Sequence, residues 1–139
     1  MDKNVEGLWK RLMTIFGDTR ALVSACAEIQ SAYVDSESKT LNRRVLGSLG
    51  DLTYVVVNGN EIGVKRSMDF VEGGNGYRYD WIPKKEVWLD CWYHPSQWPY
   101  LAVHEAHEVG LMAGGMGYEA AHERANGVEK HYRARGLWV

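Results

Sequence analysis

The chain has two cysteines in 139 residues, no long apolar run and no excess of positive charge, and each shortage removes a class of protein. One pair, Cys26 and Cys91, cannot supply the disulfide framework of a small secreted domain, so two buried free thiols are expected. A membrane-spanning helix needs about 18 or more consecutive apolar residues, and the sequence has no such stretch. Asp2, Lys3, Glu6, Lys10, Arg11, Asp18 and Arg20 also interrupt any signal-peptide core. The expected protein is soluble and cytoplasmic, with no membrane partner.

A formal net charge of -2 and a pI of about 6.2 give no overall field for nucleic acid or anionic lipid. Lys130, Tyr132, Arg133, Arg135 and Trp138 form a modest basic, aromatic tail, but Glu123 and Glu129 dilute it. Nucleic acid is therefore not an expected partner. Gly73-Gly74-Asn75-Gly76 is rich in glycine, yet it lacks the lysine and the strand-loop-helix setting of a phosphate cradle.

What the chain does have is 45% hydrophobic side chains on a length that suits one domain with a real core. Leu8, Trp9, Leu12, Ile15 and Phe16 recur at helical steps within Val5 to Phe16. After Gly17, a second helix capped by Asp18 or Thr19 carries Leu22, Val23, Cys26, Ile29 and Tyr33 on one side. Polar residues 36–40 and the glycine-flanked segment 47–51 read as breaks. Leu52 to Val57 reads as a strand, Asn58-Gly59-Asn60 as a hairpin turn, and Ile62 and Val64 as the return strand. The glycine loop at 73–76 should be a turn, followed by a strand in which Tyr77, Tyr79 and Trp81 alternate, and then by a compact strand from Glu86 to Asp90.

Pro95 to Pro99 marks a helix start with Ser96 available to cap, and that helix should reach about Met112. The short connector Gly114 to Gly117 makes the next helix, Tyr118 to about Arg135, fold back beside it. The fold class is α+β: N-terminal helices, a small, mostly antiparallel sheet and a C-terminal helical hairpin. Trp92, Tyr93, Trp98 and Tyr100 crowd one stretch just before the hairpin, where they are available to wall a cleft.

Chemistry concentrates in that hairpin. Four of the five histidines, His104, His107, His122 and His131, lie in its span. At 100° per residue Leu101, His104, Glu105, Glu108, Leu111 and Met112 share one side of their helix, while His107 points elsewhere. Tyr118, His122, Ala125, Asn126, Glu129 and Arg133 make a stripe on the next helix, flanked by Glu119. Bringing the stripes together places His122 toward His104 and Glu108.

Two imidazoles and a carboxylate form a three-ligand set with a fourth position for water, as in catalytic zinc sites. Glu105 is then the expected general base. Tyr118 or Arg133 is placed to stabilise an oxyanion, and Glu119, Asn126 or Glu129 to orient His122. A ligand pair of His104 with His107 is the alternative, but it turns away from Glu105. His94 and His131 are expected to be ordinary solvated or salt-bridged residues. A di-iron bundle would need two Glu-x-x-His repeats, and only Glu119 to His122 has that spacing.

His104-Glu105-Ala106-His107-Glu108 resembles the H-E-x-x-H helix of zincin metallopeptidases with the second histidine replaced by Glu108. Together with Ile82-Pro83, Val87 to Asp90, Leu111-Met112, Tyr118, Ala121-His122 and Glu129, this is similar to small zincin-like proteins of bacteria and their phages. The resemblance covers roughly the last 60 residues. It implies a metal on His104, Glu108 and His122, Glu105 as base, and the Glu86 to Asp90 strand as an edge for an extended peptide substrate. A carboxylate ligand suits manganese or iron as well as zinc. The expected function is a metal-dependent hydrolase, a small zinc peptidase; the alternative is a non-enzymatic phage or bacterial interaction module stapled by a structural metal or polar cluster.

Overall fold

Asp2 accepts the Asn4 N–H at 2.7 Å and caps α1 (Lys3–Phe16); Asp18 caps α2 (Thr19–Ser31) through the Ala21 N–H. A computed structural model describes residues 2–136. In α1 the helical spacing buries Val5, Trp9, Leu12 and Phe16, and in α2 it buries Leu22, Ala25, Cys26 and Ile29. Val23 and Tyr33, expected on the inner side of α2, are exposed: Val23 lies off the buried stripe and Tyr33 lies beyond the helix end.

The sheet contains β1 (Arg43–Leu49), β2 (Leu52–Val57), β3 (Gly73–Asn75) and β4 (Glu86–Asp90), in the order β1-β2-β4-β3. β1 and β3 pair antiparallel with their neighbours, and the central pair β2-β4 is parallel. The segment 47–51, expected as a break, is instead the end of β1 and a tight turn, with Gly50 at φ 59°. Both central strands are covered on both faces, which explains why Val55, Val56 and Val57 form a continuous buried run rather than an alternation. Tyr54, Val56, Val87 and Leu89 face a core built with α1, α2 and the C-terminal helices. Val55, Val57 and Trp88 face a second core with Ile62, Phe70 and Ile82.

Three local expectations fail. Asn58-Gly59-Asn60 is the start of α3 (Gly59–Lys65), not a hairpin turn. The Asn58 Oδ1 accepts the N–H groups of Asn60 and Glu61, as an N-cap does, and Gly59 sits where an added Cβ would collide with the Asp90 carboxylate. Ile62 therefore packs as a helical residue, and Val64 is exposed. Gly73 to Asn75 is a short strand beside β4 rather than a turn. Tyr77, Tyr79 and Trp81 are not a strand; the chain turns there, and the Tyr79 and Trp81 rings pack on each other at 4.8 Å and against Phe70.

The expectation for β4 as a free edge also fails, because β2 and β3 flank it; β3 is the edge strand nearer the C-terminal helices. A 3-10 turn at Pro95–Gln97 leads into α4 (Trp98–Ala113). The His94 ring, not Ser96, caps that turn by accepting the Ser96 N–H at 3.1 Å. Pro99 lies in the first turn of α4 as expected. α5 (Tyr118–Arg135) returns antiparallel to it, with Ala121 and Ala125 buried. From behind, Trp9 stacks on Tyr132 at 4.2 Å and on Tyr100 at 5.9 Å, which ties α1 to both C-terminal helices. No helix among the described residues is long and apolar enough to cross a membrane.

Candidate metal centre

Helical geometry places His104 and Glu108 one turn apart on α4, with Glu105 between them on the same buried face. His122 on α5 comes in from the opposite helix. Glu108 Oε2 lies 3.1 Å from His104 Nε2 and 2.9 Å from His122 Nδ1, and the three ligand atoms all fall within 4.8 Å of one another. Tetrahedral bonds to nitrogen and oxygen place donors roughly 3.3–3.6 Å apart. The His104, Glu108 and His122 group can therefore hold a metal ion with little rearrangement.

The other nitrogen of His104 supplies a second indication. Nδ1 is buried and lies 3.0 Å from Glu129 Oε1, but out of line, so it has no well-aligned hydrogen-bond partner. Metal-binding histidines characteristically turn their second ring nitrogen to a carboxylate, which fixes the tautomer. Glu129 thus faces His104 rather than His122, the residue it was expected to orient. Arg133 holds the other oxygen of Glu129 at 2.8 Å and bonds Gln97, so it is engaged outside the cleft and is not placed to meet an oxyanion.

The remaining expected residues divide. Tyr118 stacks on His122 at 5.2 Å and lines the cleft, as does Asn126. Glu119 is exposed and outside the cleft, because it sits one residue round the helix from Tyr118. His107 is half-buried on the other side of α4, in a groove with Arg124, and does not replace Glu108. Of the four aromatics expected to wall the cleft, Trp98 is fully buried beneath the Asp90 carbonyl, Tyr100 packs on Trp9, Trp92 bonds Asn58, and Tyr93 lines a groove beside α3. His131 lies near Glu6 at 3.9 Å. Cys26 and Cys91 are buried and free. Tyr132 is buried and Arg135 pairs with Glu6, so the basic tail is partly consumed by packing; Trp138 lies outside the described residues.

Two residues escaped the sequence. Asn75 on β3 is fully buried and donates to Glu105 Oε2 at 2.9 Å and to Glu108 Oε1 at 3.1 Å. Its only local signal is its place among glycines, which reads as a turn. Arg78 lies 4.4 Å from the Tyr118 ring centroid and lines the same cleft. The cleft has a volume of about 420 Å³, bounded by β3, the turn after it, α4 and α5.

The metal-free electrostatics follow from crowding. Burial is the largest influence on His104 and lowers its pKa, but the bond to Glu108, the close Glu129 carboxylate and the surrounding carboxylate charge outweigh it and lift the ring to about 10. Burial, reinforced by the Glu108 charge, pushes Glu105 up to about 7. Burial also works against ionisation of Glu108 and Glu129, yet their histidine partners hold both below the usual carboxylate value.

No protein-family model, no curated protein and no solved structure matches this chain. The function is therefore argued from the site alone.

Proposed function

We propose that the protein is a metal-dependent hydrolase, a small zincin-like zinc peptidase. The observation that supports this best is the convergence of His104, Glu108 and His122 ligand atoms within 4.8 Å, with the Glu105 carboxyl beside them in one cleft. Two imidazoles and one carboxylate leave a coordination position for water, and the bound cation would make that water acidic and polarise a carbonyl. Zinc suits this donor set, and manganese or iron is the second choice.

The chain's own residues supply the rest. Glu105 accepts a proton and returns it to the leaving group; its burial keeps bulk water from competing for it. Tyr118, with the Arg78 guanidinium over its ring, faces the cleft where negative charge would develop on substrate oxygen. Glu129 stands 3.0 Å from the second ring nitrogen of His104, poised to orient the ring once a metal is bound, and Arg133 fixes Glu129. A peptide or protein is the proposed substrate, and two free cysteines suit the reducing cytoplasm.

Elemental analysis of protein purified without chelators should give one divalent metal per chain. Glu105→Gln should then keep the metal while hydrolysis of a mixed peptide pool falls by about 10²- to 10⁴-fold. Protein free of metal, or hydrolysis unaffected by the substitution, would remove the proposal.

A second reading is favoured by the fact that the ligand set bridges α4 and α5. In it the metal only staples the hairpin of an interaction module. It predicts that His122→Ala lowers the melting temperature by several degrees and that no peptide is cleaved under any metal loading; an unchanged melting curve counts against it.

A further inference from the structure

Asn75 uses all of its hydrogen-bonding capacity inside the protein. Its Oδ1 accepts the Tyr77 N–H at 2.9 Å and the Arg78 N–H at 3.1 Å. Two backbone donors on that side fix the amide orientation, so the NH₂ group must face the carboxylates, where it donates to Glu105 Oε2 and Glu108 Oε1. The flanking glycines let it reach this position. A Cβ on Gly74 would come 2.7 Å from the Tyr79 ring, and one on Gly76 would run into the backbone of Pro83 and Lys84. The Gly-Gly-Asn-Gly segment is thus shaped to insert one amide between β3 and α4.

The two oxygens of Glu108 are consequently unequal. Oε1 is occupied by Asn75, while Oε2 faces both histidines. We propose that Asn75 is the positioning residue of the metal centre: by holding Oε1 it makes Glu108 a one-oxygen ligand, and by holding Glu105 Oε2 it turns the other oxygen of the base toward the cleft. A carboxylate that chelates through both oxygens fills an extra coordination position. Catalytic sites need that position for water and substrate. Asn75 therefore keeps the site open, from a strand that contributes no ligand. The inference rests on the metal site proposed above.

Cobalt(II) tests it without any substrate, because its visible absorption is intense with four ligands, severalfold weaker with five and weakest with six. Asn75→Asp keeps an oxygen for the Tyr77 and Arg78 N–H groups and loses the donor; Asn75→Ala loses both. Asn75→Ala should bind cobalt about 10- to 100-fold more weakly than the wild type, the usual cost of losing a partner behind the ligands; Asn75→Asp, which adds negative charge beside the cation, is read by its spectrum rather than its affinity. Both should also show a severalfold weaker visible band as Glu108 chelates. A band in Asn75→Asp as intense as in the wild type overturns the inference, whatever the affinity. If Asn75→Ala does not fold, Asn75→Asp still decides, since it retains the turn. A wild-type protein that takes up no cobalt overturns the metal site itself, an outcome separate from a wild type that binds and variants that match it.

Discussion

Two equally buried clusters of charge sit on helices of this protein, and only one has the makings of a site. On α3, Glu61 and Lys65 form an i,i+4 pair at 2.9 Å with side chains 1% and 6% exposed. On α4, Glu108 and His104 form an i,i+4 pair at 3.1 Å with side chains 2% and 8% exposed. The first cluster is closed: one carboxylate meets one ammonium, Asn42 donates to Glu61 from backbone and side chain, and the Thr40 carbonyl accepts from Lys65. The second gathers Glu105, Glu108 and Glu129 around two imidazoles and one amide, with a buried ring nitrogen poorly partnered and a cleft opening onto it. Burial of charge therefore does not identify function here. An excess of acceptors over available protons, next to open volume, marks the group that could hold a cation, because a cation can relieve it.

The contrast is broken most severely by deleting one partner of the closed pair. Glu61→Ala should cost about 3–5 kcal/mol in urea unfolding, since it leaves Lys65 buried and unpaired, while metal uptake is unchanged; a loss below about 1 kcal/mol would show that the pair relaxes into water. Next in size is metal itself. Zinc at about 100 times its Kd should stabilise the wild type by about 2.7 kcal/mol, and His122→Ala should abolish that gain while Glu61→Ala keeps it. Calorimetric melts with and without zinc measure both.

Smaller again is Glu129→Gln, which should weaken zinc binding about 10- to 100-fold by releasing the second nitrogen of His104; a competition titration reads it. Smallest per unit step is the pH dependence. With the His104 pKa raised to about 10, the metal-free ring carries a proton at neutral pH that a cation must displace. Zinc affinity should therefore rise about tenfold per pH unit from neutral into alkaline solution. An affinity flat across that range would mean that the ring is already neutral. The linkage for folding has the opposite sense: stability contributed by the raised His104 pKa is complete below the ordinary imidazole value of 6.5 and is lost as pH rises through about 10.

Legibility followed the range of the interaction. α1, α2 and α5 were readable because each buries a stripe at helical spacing, α4 from the start signal at Pro95 to Pro99, β2 because β-branched residues concentrate there, and β4 as a compact apolar run of Val87, Trp88 and Leu89. Asn58-Gly59 misled because asparagine that ends a strand serves a turn or an N-cap equally well. Glu61, three residues on, was the cue for the cap. β3 was illegible since nothing in three residues of glycine and asparagine favours a strand; its pairing with β4 supplies the reason. His104, Glu105 and Glu108 were readable from one helix turn, and His122 from the short connector. The partner of Glu129 depended on how the two helices rotate about their axes.

The sequence by itself determined that α1, α2, α4 and α5 form and which ligand types the last two carry, because those follow from contacts within a turn or two of chain. Only the tertiary structure decided that Asn75 reaches across from an edge strand, that Arg78 roofs Tyr118, and that Glu105 stands in a cleft rather than in a sealed core. These depend on residues 30 to 40 positions apart meeting, as Asn75 with Glu105 and Glu108 and Arg78 with Tyr118 do. Packing of the whole chain fixes such meetings, and no local periodicity encodes them.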